Sequence, residues 1–138
     1  MIVSEPMLYI KWNDQCNSSH PLLDEQHRGL VATINSIHYF IQKGWELKNM
    51  TPTLKMLETY VGFHLATELD LLRESDSSDE IEKIYQEYRH SFLNQLHRVT
   101  ESAIANNEPE ELTRYLAKWW MGHQKNFHDK LDATLMDV

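Results

Sequence analysis

Apolar residues recur along the chain at three- and four-residue steps in four successive stretches, which is the spacing of one face of an α-helix. Leu23, Leu30, Ile34, Ile37 and Ile41 form the first series, and Leu54, Leu57, Val61, Leu65 and Leu72 the second. Ile81, Ile84, Tyr88, Phe92, Leu96 and Val99 form the third, and Leu112, Leu116, Trp119 or Trp120, Phe127 and Leu131 the fourth. Pro21, Pro52 and Pro109 each stand at the start of such a stretch. Proline suits the first helical turn, where its missing N–H has no partner to lose. Thr51 and Asn107 read as N-caps, and Ser77 with Glu80 reads as a capping box. Gly44 reads as the stop of the first helix. These signals predict helices over about 21–43, 52–74, 79–105 and 109–135. The short connections predict antiparallel neighbours, hence an all-α, up-down-up-down four-helix bundle. Residues 1–20 read as a non-helical N-terminal arm whose Met7, Leu8, Ile10 and Trp12 pack on the bundle, and 21–138 as a single domain.

Composition supports that reading. Gly and Pro number only 4 each in 138 residues, too few for a fold built on tight turns. A net charge of −8 argues against a nucleic-acid or anionic-membrane partner. The opening residues do not read as a secretory signal, and Cys16 alone forms no internal disulfide, so the expected location is the cytoplasm. No stretch is apolar for long enough to span a membrane.

The 8 histidines change the picture, because several fall on the apolar stripes. His27 lies between Leu23 and Leu30, and His64 between Val61 and Leu65 with Glu68 one turn on. His90 neighbours Phe92, His123 follows Trp119 by four residues, and His128 follows His123 by five. A lone histidine on such a stripe is an ordinary core residue. Four helices each carrying one, with an H-x-x-x-E pair, point to a metal held inside the bundle by imidazole and carboxylate. Trp119 and Trp120 read as packing residues, His20 as a cap or surface residue, and His38 as part-exposed.

Trp12, then LLDEQHRGLVATIN, HLATE, a third-helix His followed within a few residues by FL, and WWMGHQKNF together resemble the hemerythrins, specifically the single-domain bacterial ones, over about residues 12–135. The resemblance implies an antiparallel four-helix bundle around a non-haem di-iron centre that binds O₂ reversibly, with five His ligands and bridging Glu and Asp. Carried over residue by residue, it implies metal ligation by His27, His64, Glu68, His90 and His123. Two positions depart from the family pattern. Gln86 stands where the first third-helix His is expected, as a weak oxygen ligand or a hydrogen-bond donor to a bound ligand. His128 stands where the bridging Asp is expected and reads as a sixth ligand. His97 is an alternative ligand if the third helix is shifted, and Asp129 an alternative to His128 if the last helix end rotates. The expected cofactor is iron, two per chain, with one ion or another metal as the alternatives.

The function so implied is the binding of O₂ or a related diatomic for carriage, storage or sensing, with a separate signalling partner if it senses. The alternatives are an oxidoreductase acting on peroxide or nitric oxide, and a metal-poor interaction bundle.

Overall fold

The structure is a computed structural model that describes residues 8–12, 20–75 and 78–123. Among the described residues it holds four long helices and no strand. They are α1 (Pro21–Gln42), α2 (Thr51–Glu74), α3 (Asp79–Ala105) and α4 (Pro109–Gly122), with a 3₁₀ turn at Leu47–Asn49 between the first two. The first three run 22, 24 and 27 residues, or roughly 33–40 Å at the α-helical rise. Among the described residues no helix is long and apolar enough to cross a membrane.

The proline starts are as expected, with Pro at the N-terminal turn of α1, α2 and α4. The caps differ in detail. The imidazole Nδ1 of His20 caps α1 by accepting from the Leu22 N–H at 3.2 Å. Ser78 caps α3, accepting from the Ile81 N–H at 3.2 Å, and Ser77 lies outside the described residues. Thr51 is the first residue of α2, not its cap, and its hydroxyl donates back to the Lys48 carbonyl. Asn107 turns the chain with a positive φ of 52°, and Glu108 occupies the cap position before α4. Gly44 follows the α1 C-cap at a φ of 90°, the left-handed conformation that glycine adopts at no steric cost.

The helices form a ring in which α1 packs on α2 and α4, and α3 packs on α2 and α4. The main core among the described residues is built from Leu23, Leu30, Ile34 and Ile37 of α1, Leu57, Val61 and Leu65 of α2, Leu96 of α3, and Leu112 and Leu116 of α4, all at most 1% exposed. Cross-helix contacts pair residues in opposed chain order. Arg73 meets Glu82, Glu68 meets Tyr85, and Glu58 meets His97. Tyr88 meets His123, and Gln95 meets Tyr115.

Residues 8–12 are non-helical and lie along α1. The Asn35 amide locks them in place, accepting from the Ile10 N–H and donating to the Ile10 carbonyl, both at 2.8 Å. Trp12 reaches over the end of the bundle to Trp120, ring centres 6.2 Å apart, with the Arg28 guanidinium 4.9 Å above it.

The third stripe is where sequence and structure part. Ile81 and Ile84 are exposed, and Tyr85, Phe92, Leu96, Thr100 and Ala103 face inward.

Candidate metal centre

Three helices bring four ligand-type side chains to one buried point. His27 comes from the first third of α1, His64 and Glu68 from one face of α2, and His123 from the C-cap of α4. Four donor atoms, one from each, all lie within 4.8 Å of one another. All four residues are at most 3% exposed. The contacts form a chain: His27 Nε2 stands 3.1 Å from His64 Nε2, which stands 3.2 Å from Glu68 Oε1, which stands 3.1 Å from His123 Nε2.

These separations test whether the group fits an ion. Nitrogen and oxygen ligands about 2.0–2.2 Å from one first-row ion, at angles of roughly 90–109°, lie about 2.8–3.6 Å apart. The three measured edges fall in that range, and the 4.8 Å outer limit accommodates ligands on opposite sides of an ion. Imidazole nitrogens with one hard carboxylate oxygen suit iron, manganese or zinc. Three His and one Glu therefore fit a single transition-metal ion.

An outer hydrogen bond sets the His64 tautomer. The Thr67 hydroxyl donates to the Phe63 carbonyl and so accepts from the Gln26 amide Nε2 at 3.1 Å. That fixes the amide with Oε1 toward His64 Nδ1, 3.0 Å away. An amide oxygen only accepts, so the proton of His64 sits on Nδ1 and the Nε2 lone pair points into the cluster. Gln26 is itself 5% exposed, and its backbone carbonyl accepts from the Tyr60 hydroxyl at 3.0 Å. On the other side, His123 Nδ1 meets the Tyr88 hydroxyl at 2.9 Å, which also accepts from the Trp119 indole N–H at 2.8 Å. Partners of this kind hold ligand rings in place and raise their basicity.

The third helix contributes tyrosines. The Tyr85 hydroxyl donates to Glu68 Oε1 at 2.5 Å and is 2% exposed as a residue. Burial first, and the Glu68 charge second, push the Tyr85 phenol well above its ordinary pKa. Burial likewise raises Tyr88. Aromatic rings complete the wall. Trp120 meets His27 edge-on at 5.2 Å, and Trp119 stacks on His123 at 4.8 Å and on Phe92 at 4.4 Å. Outside this wall, Tyr88, Ser91, Phe92, Gln95, Tyr115, Lys118 and Trp119 line a surface groove of about 310 Å³. Tyr88 and Trp119 therefore touch both the groove and His123.

Of the six residues expected as ligands, four are brought together: His27, His64, Glu68 and His123. His90 is not among them. It is exposed on α3, 3.2 Å from the Asn94 amide, because five residues on from Tyr85 is about 140° round the helix. Gln86 is also exposed, about 100° from Tyr85, and lines an outer groove with Arg89 and His90. The alternative His97 is exposed and sits 3.4 Å from Glu58. His128, Asp129 and Cys16 lie outside the described residues. Sequence reasoning missed Gln26, Tyr85 and Tyr88. Tyr85 was detectable as the residue seven before Phe92, the two-turn helical repeat.

The chain is 25% identical over 124 residues to the bacteriohemerythrin of Pseudomonas aeruginosa strain LESB58, an alignment covering 87% of this chain and 77% of that relative. The bacteriohemerythrins of P. aeruginosa strain UCBPP-PA14 and P. paraeruginosa strain PA7 match over the same shares at the same identity. No family model matches the chain.

Proposed function

We propose that this chain is a hemerythrin-like, iron-binding protein that takes up O₂ or a related diatomic inside an antiparallel four-helix bundle. The observation that carries the reading is the buried convergence of His27, His64, Glu68 and His123 within 4.8 Å. The similarity to bacteriohemerythrins over most of the chain supports it. The opposed chain order of the α2–α3 and α3–α4 contacts supports the antiparallel arrangement. The contacts of residues 8–12 with α1 support an N-terminal arm on a single domain. A cytoplasmic location follows from the same reading.

The stoichiometry we propose is one iron per chain at the described group. A second ion of the family type needs third-helix histidines, and the inward residues of α3 there are Tyr85, Tyr88 and Phe92. His27, His64, Glu68 and His123 would hold the iron, which would supply a Lewis-acid centre able to bind a diatomic. The chain's own residues do the rest. Gln26 keeps the His64 lone pair aimed inward, and Tyr88 steadies the His123 ring. Tyr85 holds the Glu68 carboxylate in place. Trp120, Trp119 and Phe92 keep bulk water out. A rotation of Trp119 or Tyr88 opens the groove toward His123 and is the proposed entry for a diatomic.

The test is anaerobic loading with ferrous iron, removal of excess and return to air, read as iron per chain and as a visible spectrum that forms with O₂ and reverses on deoxygenation. About one iron and a reversible spectrum support the reading. Two irons place further ligands beyond the described residues and refute the single-ion count. Turnover of peroxide or nitric oxide without a stable adduct moves the protein to the oxidoreductases. A folded chain without iron moves it to the interaction modules.

A further inference from the structure

We propose that the phenol oxygen of Tyr85 is itself a metal ligand, coordinating iron beside His27, His64, Glu68 and His123 and thereby favouring the ferric ion. This inference rests on the iron-binding reading above. Its basis is position. The Glu68 Oε1 atom is faced by His64 Nε2 at 3.2 Å and His123 Nε2 at 3.1 Å, and the Tyr85 oxygen lies 2.5 Å from that same atom. The phenol oxygen is thus nearer the shared carboxylate oxygen than the nitrogens of the cluster are, at hydrogen-bond distance, and on coordination the two oxygens part to the roughly 2.8 Å or more that ligands of one ion keep. Tyr88 differs, because its hydroxyl meets Nδ1 of His123, on the side of the ring turned away from Glu68.

The chemistry of the helix agrees. Among the described residues α3 brings no His, Cys, Asp or Glu into the group. Its one side chain in contact with Glu68 Oε1 among the contacts above is Tyr85. A hard anionic oxygen pairs best with a hard cation, and tyrosine is an established ligand type for iron. On coordination the phenolic O–H bond breaks as the O–Fe bond forms, and the proton leaves to solvent. Iron loaded as the ferric ion keeps its oxidation state, so no further reactant is required. Two anionic oxygens against three neutral imidazoles favour the trivalent over the divalent ion. The apo-protein hydrogen bond to Glu68 keeps the phenol satisfied until iron arrives.

The experiment loads the full chain with ferric citrate, removes the excess and measures iron per chain, visible absorption and resonance Raman scattering. The expected result is bound iron with a phenolate-to-iron charge-transfer band whose excitation enhances tyrosine ring modes. Tyr85→Phe is expected to lose the band and bind iron about tenfold or more weakly, as for groups that tune metal sites. Tyr88→Phe is expected to keep the band. Iron bound by the unaltered chain with no such band, or a band that survives in Tyr85→Phe, overturns the ligand assignment and leaves the iron reading standing. No iron bound by the unaltered chain overturns both. If Tyr85→Phe does not fold, the unaltered chain grown on ring-deuterated tyrosine decides the matter. Modes that shift on labelling support tyrosine ligation, with Tyr88→Phe assigning the residue, and modes that do not shift overturn it.

Discussion

Replacing Glu68 by Gln should affect the metal-free and metal-loaded protein in opposite ways. Glu68 is fully buried, and its Oε1 faces the Tyr85 hydroxyl and two imidazole nitrogens within 3.2 Å. Without an ion, the carboxylate carries a buried charge whose one donor with a fixed proton, among these contacts, is Tyr85. Replacing buried ionic groups by neutral ones of like volume is often neutral or stabilising by about 1–4 kcal/mol. Because Tyr85 already offsets part of the cost, the expectation for Glu68→Gln is about 0–2 kcal/mol of added stability in the metal-free state. For a chain of this size each kcal/mol moves Tm by roughly 3–5 °C, so Tm should hold or rise by up to about 10 °C. With iron the sign reverses. A ligand present at about 100 times its Kd stabilises by about 2.7 kcal/mol, or roughly 8–14 °C. Loss of the one anionic side chain among the four is expected to weaken binding about 100-fold, the upper end of what outer partners alone contribute. At the same iron concentration the remaining stabilisation is then about 0.4 kcal/mol, a shift of roughly 1–2 °C. The assay is thermal unfolding by circular dichroism under anaerobic conditions, with and without ferrous iron. A variant that melts several degrees lower without metal, yet keeps the full metal-induced shift, would refute the argument.

Two further substitutions separate the ligand shell from the helix surface. Gln26→Leu removes the acceptor that holds His64 Nδ1–H while keeping the volume close, so iron affinity in a metal titration should fall about 10–100-fold with helicity unchanged. An unaltered affinity would mean that the amide is packing and not orientation. His90→Ala should leave iron content unchanged and stability within about 0.5 kcal/mol, because the side chain is exposed on the outer face of α3. A drop in bound iron on that change would restore His90 to the ligand set.

The helices and three of their four starts were legible because proline and the apolar period act locally, within one or two turns. His27, His64 and Glu68 were legible for the same reason, each flanked on α1 or α2 by aliphatic residues three or four positions away. The inward face of the third helix was not. A strict four-residue step overshoots each turn by about 40°, so a line drawn from Ile84 through Tyr88 and Phe92 to Leu96 rotates by about 120°. Both ends of that line cannot face one core. Leu96 and Phe92 are buried and Ile84 is exposed, which sets the inward face on Tyr85 in place of its neighbours. The ligands expected at Gln86 and His90 came from the family resemblance instead, and both side chains are exposed on α3. Tyrosine concealed the correction, since its ring satisfies an apolar pattern and its hydroxyl does not show in one. On α3 the two properties coincide at the site: the ring of Tyr85 belongs to the core, and its hydroxyl meets the buried carboxylate. A polar function carried by a residue that reads as apolar escapes a hydropathy pattern. That is why the α3 wall of this cluster does not show in the hydropathy pattern, whereas its histidines do.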